Sequence, residues 1–352
     1  MRALGFESHG GIETLAFREV PEPAETPGWT VLAVRAVALN HLDIWVRRGW
    51  PGLTLPLPHW TGSDIVGTVV VPDPEPLSLD DHITMGTRVA VNPGYVTGPD
   101  AWSDRGEECV SPLYRIIGED CPGGLAELVA VPTKCLVPVP EHLSDPLAAA
   151  FLLTGTTVWR MLFSRGNLLA GETVLIVGAG GGVNSLAAFI ARRHGARVIA
   201  LAGSPEKQRA ITAIGTDETI LYHETPQWHR EVLRLTGGRG VDLVVDNVGA
   251  TTIERSLKAV RRGGRIVTVG STSGPMLAID NRMIFSKQLS LIGSTMGSTH
   301  DFHQAIEFLW SPTIHPHLDL LVDTIAPFER GIEMMARLEA GEQRGKIVLV
   351  MK

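Results

Sequence analysis

Along the first part of the chain, apolar positions come in short alternating or continuous runs, Thr30 to Val37, Ile65 to Val71 and Arg88 to Val91, set between Pro- and Gly-rich stretches. Period-two runs bounded by turn residues read as strands, so residues 1–150 are expected to be mainly β. From Thr173 the texture changes. Apolar runs at Thr173–Val177, Arg197–Leu201, Val241–Val245, Arg265–Val269 and Leu289–Ile292 alternate with helical segments, the first of them near Val183 to His194. That alternation predicts a parallel sheet wrapped by crossover helices. Ser204 followed by Pro205 marks one helix start, a capping hydroxyl before a residue whose ring presets the first helical φ. The tail from Asp301 carries two amphipathic helices and a final strand, Lys346 to Val350, too little for a core of its own, and is expected to rejoin the N-terminal half.

Composition narrows the class. The chain has 352 residues, 44% of them hydrophobic and 20% charged, with 38 Gly and 23 Pro, enough for two turn-rich globular domains. A net charge of -7 speaks against a nucleic-acid partner, since phosphate binding needs clustered Lys and Arg. The longest apolar region, Pro146 to Phe163, is interrupted by Thr154, Gly155 and Arg160, so no membrane span is expected. The N-terminal residues lack an apolar run ending in a cleavage site, and Cys109, Cys121 and Cys135 form no C-x-x-C pair. Both point to a reducing, cytoplasmic setting.

Between the first strand and helix of the second half stands Gly178-Ala-Gly180-Gly181-Gly182-Val183-Asn184. Such a loop lets a pyrophosphate lie against backbone N–H groups at a helix N-terminus, where the dipole favours an anion. A Gly-rich run alone is a weak signal; between a strand and a helix it becomes the dinucleotide fingerprint. Its last position is Asn184, where the fingerprint has Gly or Ala. No acid follows the second strand to bind a ribose 2′-hydroxyl. Ala202-Gly203-Ser204-Pro205-Glu206-Lys207-Gln208-Arg209 offers instead a hydroxyl and two cations, which suits the 2′-phosphate of NADPH; Lys207 and Arg209 are equally compatible with a solvated helix face, and Glu206 opposes an anion.

The motifs Leu39-Asn40-His41-Leu42-Asp43, Gly62-Ser63-Asp64-Ile65-Val66-Gly67, Gly123-Gly124-Leu125-Ala126-Glu127, Leu153-Thr154-Gly155-Thr156-Thr157, Gly293-Ser294-Thr295-Met296-Gly297 and Gly345-Lys346-Ile347-Val348, in this order with the Gly178 loop, resemble the medium-chain dehydrogenase/reductase superfamily, in particular its zinc-free quinone and enone reductase branch. The resemblance spans nearly the whole chain. It implies an α/β protein: a doubly wound Rossmann domain, residues 151–294, plus a mainly β GroES-like barrel domain, residues 1–150, completed by residues 295–352, with the active site in the cleft. Where the zinc branch holds its catalytic metal, this chain has Asn40, Ser63 and Ala150, none a good zinc ligand, and Leu42 replaces a proton-relaying hydroxyl. Of the four cysteines of the structural zinc lobe, only Cys109 remains within Tyr95 to Ser111. No metal is expected.

The resemblance further implies that Asn40 faces the nicotinamide or substrate and that Thr154 touches the nicotinamide. His41, Gly178, Gly180, Gly181, Gly182, Val183, Ser204, Lys207, Gly270, Ser271, Thr272, Ser294, Thr295, Met296 and Lys346 line the dinucleotide. Asn40 also suits a turn and Thr154 a helix cap. Asp43 reads as a buried acceptor rather than an acid or base. Trp45 stands where relatives often have Tyr, and an indole N–H is no general acid, so the second proton is assigned to water. The loops Trp50 to Trp60 and Tyr95 to Tyr114 suggest an apolar pocket. These features favour an NADPH-dependent reductase of quinones or α,β-unsaturated carbonyls, a homodimer acting on a small electrophile. Two other readings stand beside it: a zinc-type alcohol dehydrogenase, and a dinucleotide-binding protein without turnover.

Overall fold

The computed structural model describes residues 1–74 and 83–351. The chain forms two compact units, Met1–Leu153 with Gly297–Lys352, and Thr154–Met296.

In the first unit a seven-stranded sheet runs in the order Val322–Pro327, Lys346–Val350, Trp29–Ala38, Asp64–Val71, Arg88–Val91, Leu136–Pro138, with Leu128–Pro132 also paired to Trp29–Ala38. The C-terminal strand is therefore interior to this sheet, antiparallel to Trp29–Ala38 with Val348 opposite Ala38. Its other neighbour, Val322–Pro327, is parallel. Alternating residues of these strands, Leu32, Val37, Ile65, Val89, Ile347 and Leu349 among them, close a fully buried core. Helix α1, His41–Arg48, follows the long central strand after a two-residue turn.

The second unit is a six-stranded parallel sheet: β1 Thr173–Val177, β2 Arg197–Ala202, β3 Glu218–Leu221, β4 Val241–Asp246, β5 Val260–Thr268 and β6 Ser290–Gly293. Their order, β3-β2-β1-β4-β5-β6, is doubly wound and changes direction between β1 and β4. The central strands read as continuous apolar runs because helices cover both faces; every residue of β1 and β4 is buried. Strand β3 was not among the runs expected from the sequence. Helix α2, Leu152–Trp159, passes into a π-helical turn, Arg160–Arg165; α3, Gly182–Arg193, follows β1, and α4, Pro205–Ala213, follows β2. The apolar stretch Asp145–Arg165 is long enough to cross a membrane, yet 78% of its most apolar window is buried in the protein.

Candidate active site and dinucleotide loop

The glycine loop forms as its sequence requires. Gly178 has φ 74°, a left-handed conformation that a side chain resists, and a Cβ there would lie 2.9 Å from Val248 Cγ2. A Cβ on Gly180 would strike the Lys207 stem at 2.4 Å, so Lys207 lies across the loop, whereas Gly181 faces open space. Gly181 caps α3 with no side-chain acceptor. The first amides of this twelve-residue helix, Gly182 and Val183 included, thus lack a capping side chain, and the residues fit an anionic phosphate.

Beyond β2, Ser204 caps α4 by accepting from the Lys207 amide at 3.2 Å, and Arg209 is paired with Glu206 at 3.2 Å, which offsets the charge opposed to an anion. Tyr222, not singled out from the sequence, joins this end. A Cβ on Gly203 would lie 2.6 Å from the Tyr222 hydroxyl, so that phenol sits against the turn after β2. Tyr222 also lines a cleft of about 320 Å³ with Gly178, His223, Thr251 and Arg255. Tyr222 follows β3, the strand that went unread, and no pattern signal pointed to it.

On the other side of the switch point, the Thr272 amide donates to Asn247 O at 3.3 Å, Thr268 Oγ1 donates to Gly270 O, and Ser271 Oγ donates to Gly274 O. After β6, the Ser294 amide returns to Thr268 O at 2.9 Å, while Ser294 Oγ is buried without a partner among the described residues. Thr295 is exposed; Met296 is buried, with φ 45° and its sulfur accepting from Thr157. A bulky residue held at positive φ is a strained position of the kind that collects at ligand sites. Thr154 lies inside α2 rather than at its cap, and its hydroxyl is buried with no partner among the described residues. A hydroxyl in that state costs free energy unless a bound group meets it.

The first unit places the remaining residues differently from expectation. Sheet register sets Asn40, Asp64 and Lys346 side by side. Lys346 is buried, and its three protons go to Leu39 O at 2.9 Å, Asn40 Oδ1 at 2.6 Å and Asp64 Oδ2 at 2.9 Å. An ammonium has three donors, so Lys346 has none left for a dinucleotide, and its expected cofactor contact does not fit this geometry. Asn40 donates to Asp64 Oδ2 at 3.0 Å and, more weakly, to Ala38 O at 3.4 Å. With both ends of its amide occupied, Asn40 is placed as a buried brace and N-cap of α1 rather than as a donor facing substrate. Asp64 is completed by the Leu153 amide. His41 is exposed at the start of α1, its ring 6.3 Å from that of Trp45.

Asp43, a buried acceptor as expected, receives the Asn40 amide at 2.7 Å and the Gly62 amide at 2.9 Å. Burial pushes its carboxyl up to about 6, against the pull of these donors and of Thr61. Ser63 is fully buried, its hydroxyl without a partner among the described residues. The turn Gly118–Cys121 abuts Gly62, and on it burial and neighbouring Asp120 push Glu119 up to about 7. In the lobe Tyr95 to Ser111 a carboxylate organises the chain: Asp100 accepts from the Trp102 and Ser103 amides and from the Ser103 and Ser111 hydroxyls. These donors hold its pKa down at about 2. Among the described residues no cluster of three His, Cys, Asp or Glu could hold a metal. An apolar cavity of about 490 Å³ in this unit takes Trp60 from the first of the two expected loops, but its other walls come from Met1, Pro21 to Trp29 and Cys121 to Ala130.

A doubly wound sheet with a glycine loop at its switch point, joined to a mainly β unit closed by the chain's own tail, defines a nicotinamide-dependent dehydrogenase or reductase. Residues 26–141 match the alcohol dehydrogenase GroES-like domain, and residues 182–311 match the zinc-binding dehydrogenase family. The chain is 31% identical to a crotonyl-CoA reductase of Streptomyces collinus, over 89% of this chain and 78% of that one. It is 32% identical to a quinone oxidoreductase of Pseudomonas aeruginosa, over 87% and 85%. A crystal structure described as an NAD-dependent alcohol dehydrogenase superposes with a TM-score of 0.92 at 38% identity, covering all of both chains. The chain belongs to the medium-chain dehydrogenase/reductase superfamily and is a nicotinamide-dependent oxidoreductase.

Proposed function

We propose that the protein reduces quinones or α,β-unsaturated carbonyl compounds, enoyl thioesters included, with NADPH and without zinc. The observation that carries this reading is the Lys346 ammonium bonded to Asn40 and Asp64. It puts a fixed positive charge beside Asn40, one of the positions where the zinc branch has a ligand. A divalent cation there would meet an amide whose oxygen is already taken and a cation within its coordination sphere. Similarity to a quinone oxidoreductase and a crotonyl-CoA reductase supports the same substrate class.

Bound NADPH supplies the hydride, and the protein's task is to hold the acceptor and the dinucleotide in register. The uncapped amides of α3 take the pyrophosphate. Ser204, Lys207 and Tyr222 would flank a 2′-phosphate, and the buried Thr154 hydroxyl, without a partner among the described residues, would face the nicotinamide. Conjugation makes the acceptor electrophilic already, so hydride addition needs no Lewis acid, and water returns the proton. Asn40 acts through Asp64 and Lys346, as a positioning residue. The likeness to a structure described as NAD-dependent makes NADH the second reading for the cofactor.

The test is oxidation of NADPH and NADH against a panel of quinones, enones and enoyl thioesters, run beside NADP-linked oxidation of simple alcohols, all in chelator. Turnover of the conjugated acceptors with little alcohol oxidation is expected. Rapid alcohol oxidation, or cofactor binding with no turnover across the panel, overturns the reductase reading.

A further inference from the structure

We propose that Asn184 and Asn247 form a positioning relay that couples the pyrophosphate loop to the Val269–Thr272 segment, so that the two halves of the dinucleotide are held in one register. The inference rests on the reading of the Gly178 loop as a dinucleotide site.

Asn184 stands at the fingerprint position where a side chain is normally dispensed with, and the structure gives its amide a use. Asn184 Nδ2 donates to Val177 O at 2.7 Å and Gly178 O at 3.2 Å, gripping the end of β1 and the first residue of the loop. Its Oδ1 accepts from Asn247 Nδ2 at 2.6 Å, and Asn247 Oδ1 accepts from the Val269 amide at 2.7 Å. The Asn247 carbonyl then takes the Thr272 amide at 3.3 Å. Both side chains are buried, Asn184 at 7% and Asn247 at 8% exposure.

The direction of this chain of hydrogen bonds is settled by its ends. Val177 O and Gly178 O can only accept and the Val269 N–H can only donate, so neither amide can turn over without setting oxygen against oxygen or nitrogen against nitrogen. A buried chain with one allowed direction is rigid, because every alternative leaves an unsatisfied polar group away from water. It spans the gap between β1 and β4, where the sheet order reverses and where ligands of such sheets bind. One end fixes the loop read as taking the pyrophosphate, and the other fixes the backbone around Gly270 to Thr272, also expected to line the dinucleotide, which the proposal places along its nicotinamide half. Local packing of helix on sheet would need only the first.

Three variants test it: Asn247→Ala, Asn184→Ala and, keeping the volume, Asn184→Asp, whose carboxylate would face Val177 O. Each is measured for affinity to NADPH and to 2′,5′-ADP, which lacks the nicotinamide half, for kcat on the best acceptor, and for unfolding by urea. Asn247→Ala is expected to weaken NADPH about tenfold and to lower kcat, with 2′,5′-ADP weakened no more than about threefold. The Asn184/Asn247 double alanine variant is expected to be no worse than the poorer single one, as for residues acting as one unit. Equal weakening of NADPH and 2′,5′-ADP would reduce the pair to a local brace and overturn the relay, as would folded variants that bind and turn over like the parent. If the Ala variants do not fold, the same comparison is made on Asn184→Asp. A parent that binds neither NADPH nor NADH defeats the dinucleotide reading itself, an outcome separate from these.

Discussion

Replacing Lys346 with Met separates a structural from a cofactor-binding role for this cation. The side chains are alike in length and flexibility, so the change removes the charge and three donors while roughly keeping the packing. What remains is the Asp64 carboxylate, 0% exposed, with Asn40 Nδ2 and the Leu153 amide as its donors among the described residues, and Leu39 O and Asn40 Oδ1 each short of one. Leaving one member of a buried ion pair uncompensated costs about 3–5 kcal/mol. The two acceptors that lose a donor are coupled to the same centre, so their cost falls within that range rather than adding to it. Urea unfolding at neutral pH, followed by tryptophan fluorescence, should show that loss. Adding Asp64→Asn to Lys346→Met removes the stranded charge, and the double variant should be no less stable than Lys346→Met alone. NADPH affinity of the folded Lys346→Met protein should stay within about twofold of the parent, a difference worth only about 0.4 kcal/mol. A stability change below about 1 kcal/mol, as is usual for a surface ion pair, would refute the argument. So would strictly additive single effects, or a tenfold rise in the NADPH dissociation constant at unchanged stability.

Tyr222→Phe should weaken NADPH about tenfold, as for loss of a hydrogen bond to a charged group, and leave NADH unaffected; equal effects on the two cofactors would remove Tyr222 from phosphate recognition. Elemental analysis should find no stoichiometric zinc, and activity should survive chelator; near-unit zinc lost together with activity would contradict the zinc-free proposal. A homodimer is expected, because β6 is an edge strand with Leu291 exposed at 41%, beside Phe285 of the preceding helix Asn281–Lys287 exposed at 65%, and such an edge is commonly covered in a symmetric pair; a monomeric mass by light scattering at micromolar concentration would count against it. Glu119 has a folded pKa of about 7, raised from 4.5 by burial, so its favourable contribution is complete below pH 4.5 and is lost as pH rises through 7. Glu119→Gln should therefore gain on the parent across that window, by about 1–2 kcal/mol after allowance for partial exposure, and a pH-independent difference would show that the carboxyl is not strained.

How far the sequence could be read follows from where each signal resides. The strands of the parallel sheet were legible as apolar runs because both faces are buried, and the loop was legible because Gly178 needs a positive φ and Gly180 has no room for a Cβ beside Lys207. Strand β3 escaped because it is a four-residue edge, Glu-Thr-Ile-Leu, in which only Ile220 is buried, and a strand with one apolar anchor has no period to detect. With β3 went Tyr222, whose place beside Gly203 depends on β2 and β3 being parallel neighbours. The hydrogen-bonded setting of Asn40 and Lys346 escaped the sequence for another reason. They are 306 residues apart, and what each does depends on the final strand entering the sheet beside Trp29–Ala38. Residue type shows that Asn40 is a poor metal ligand; it cannot show that both ends of the amide are already bonded. The same limit applies in reverse to Asn184. In the sequence it is only a departure from the fingerprint, yet 63 positions later Asn247 turns the departure into a directed chain of bonds. Asn40 and Asn184, two polar residues that break a family pattern, each find a partner far away in the sequence, and that pairing only a three-dimensional register reveals.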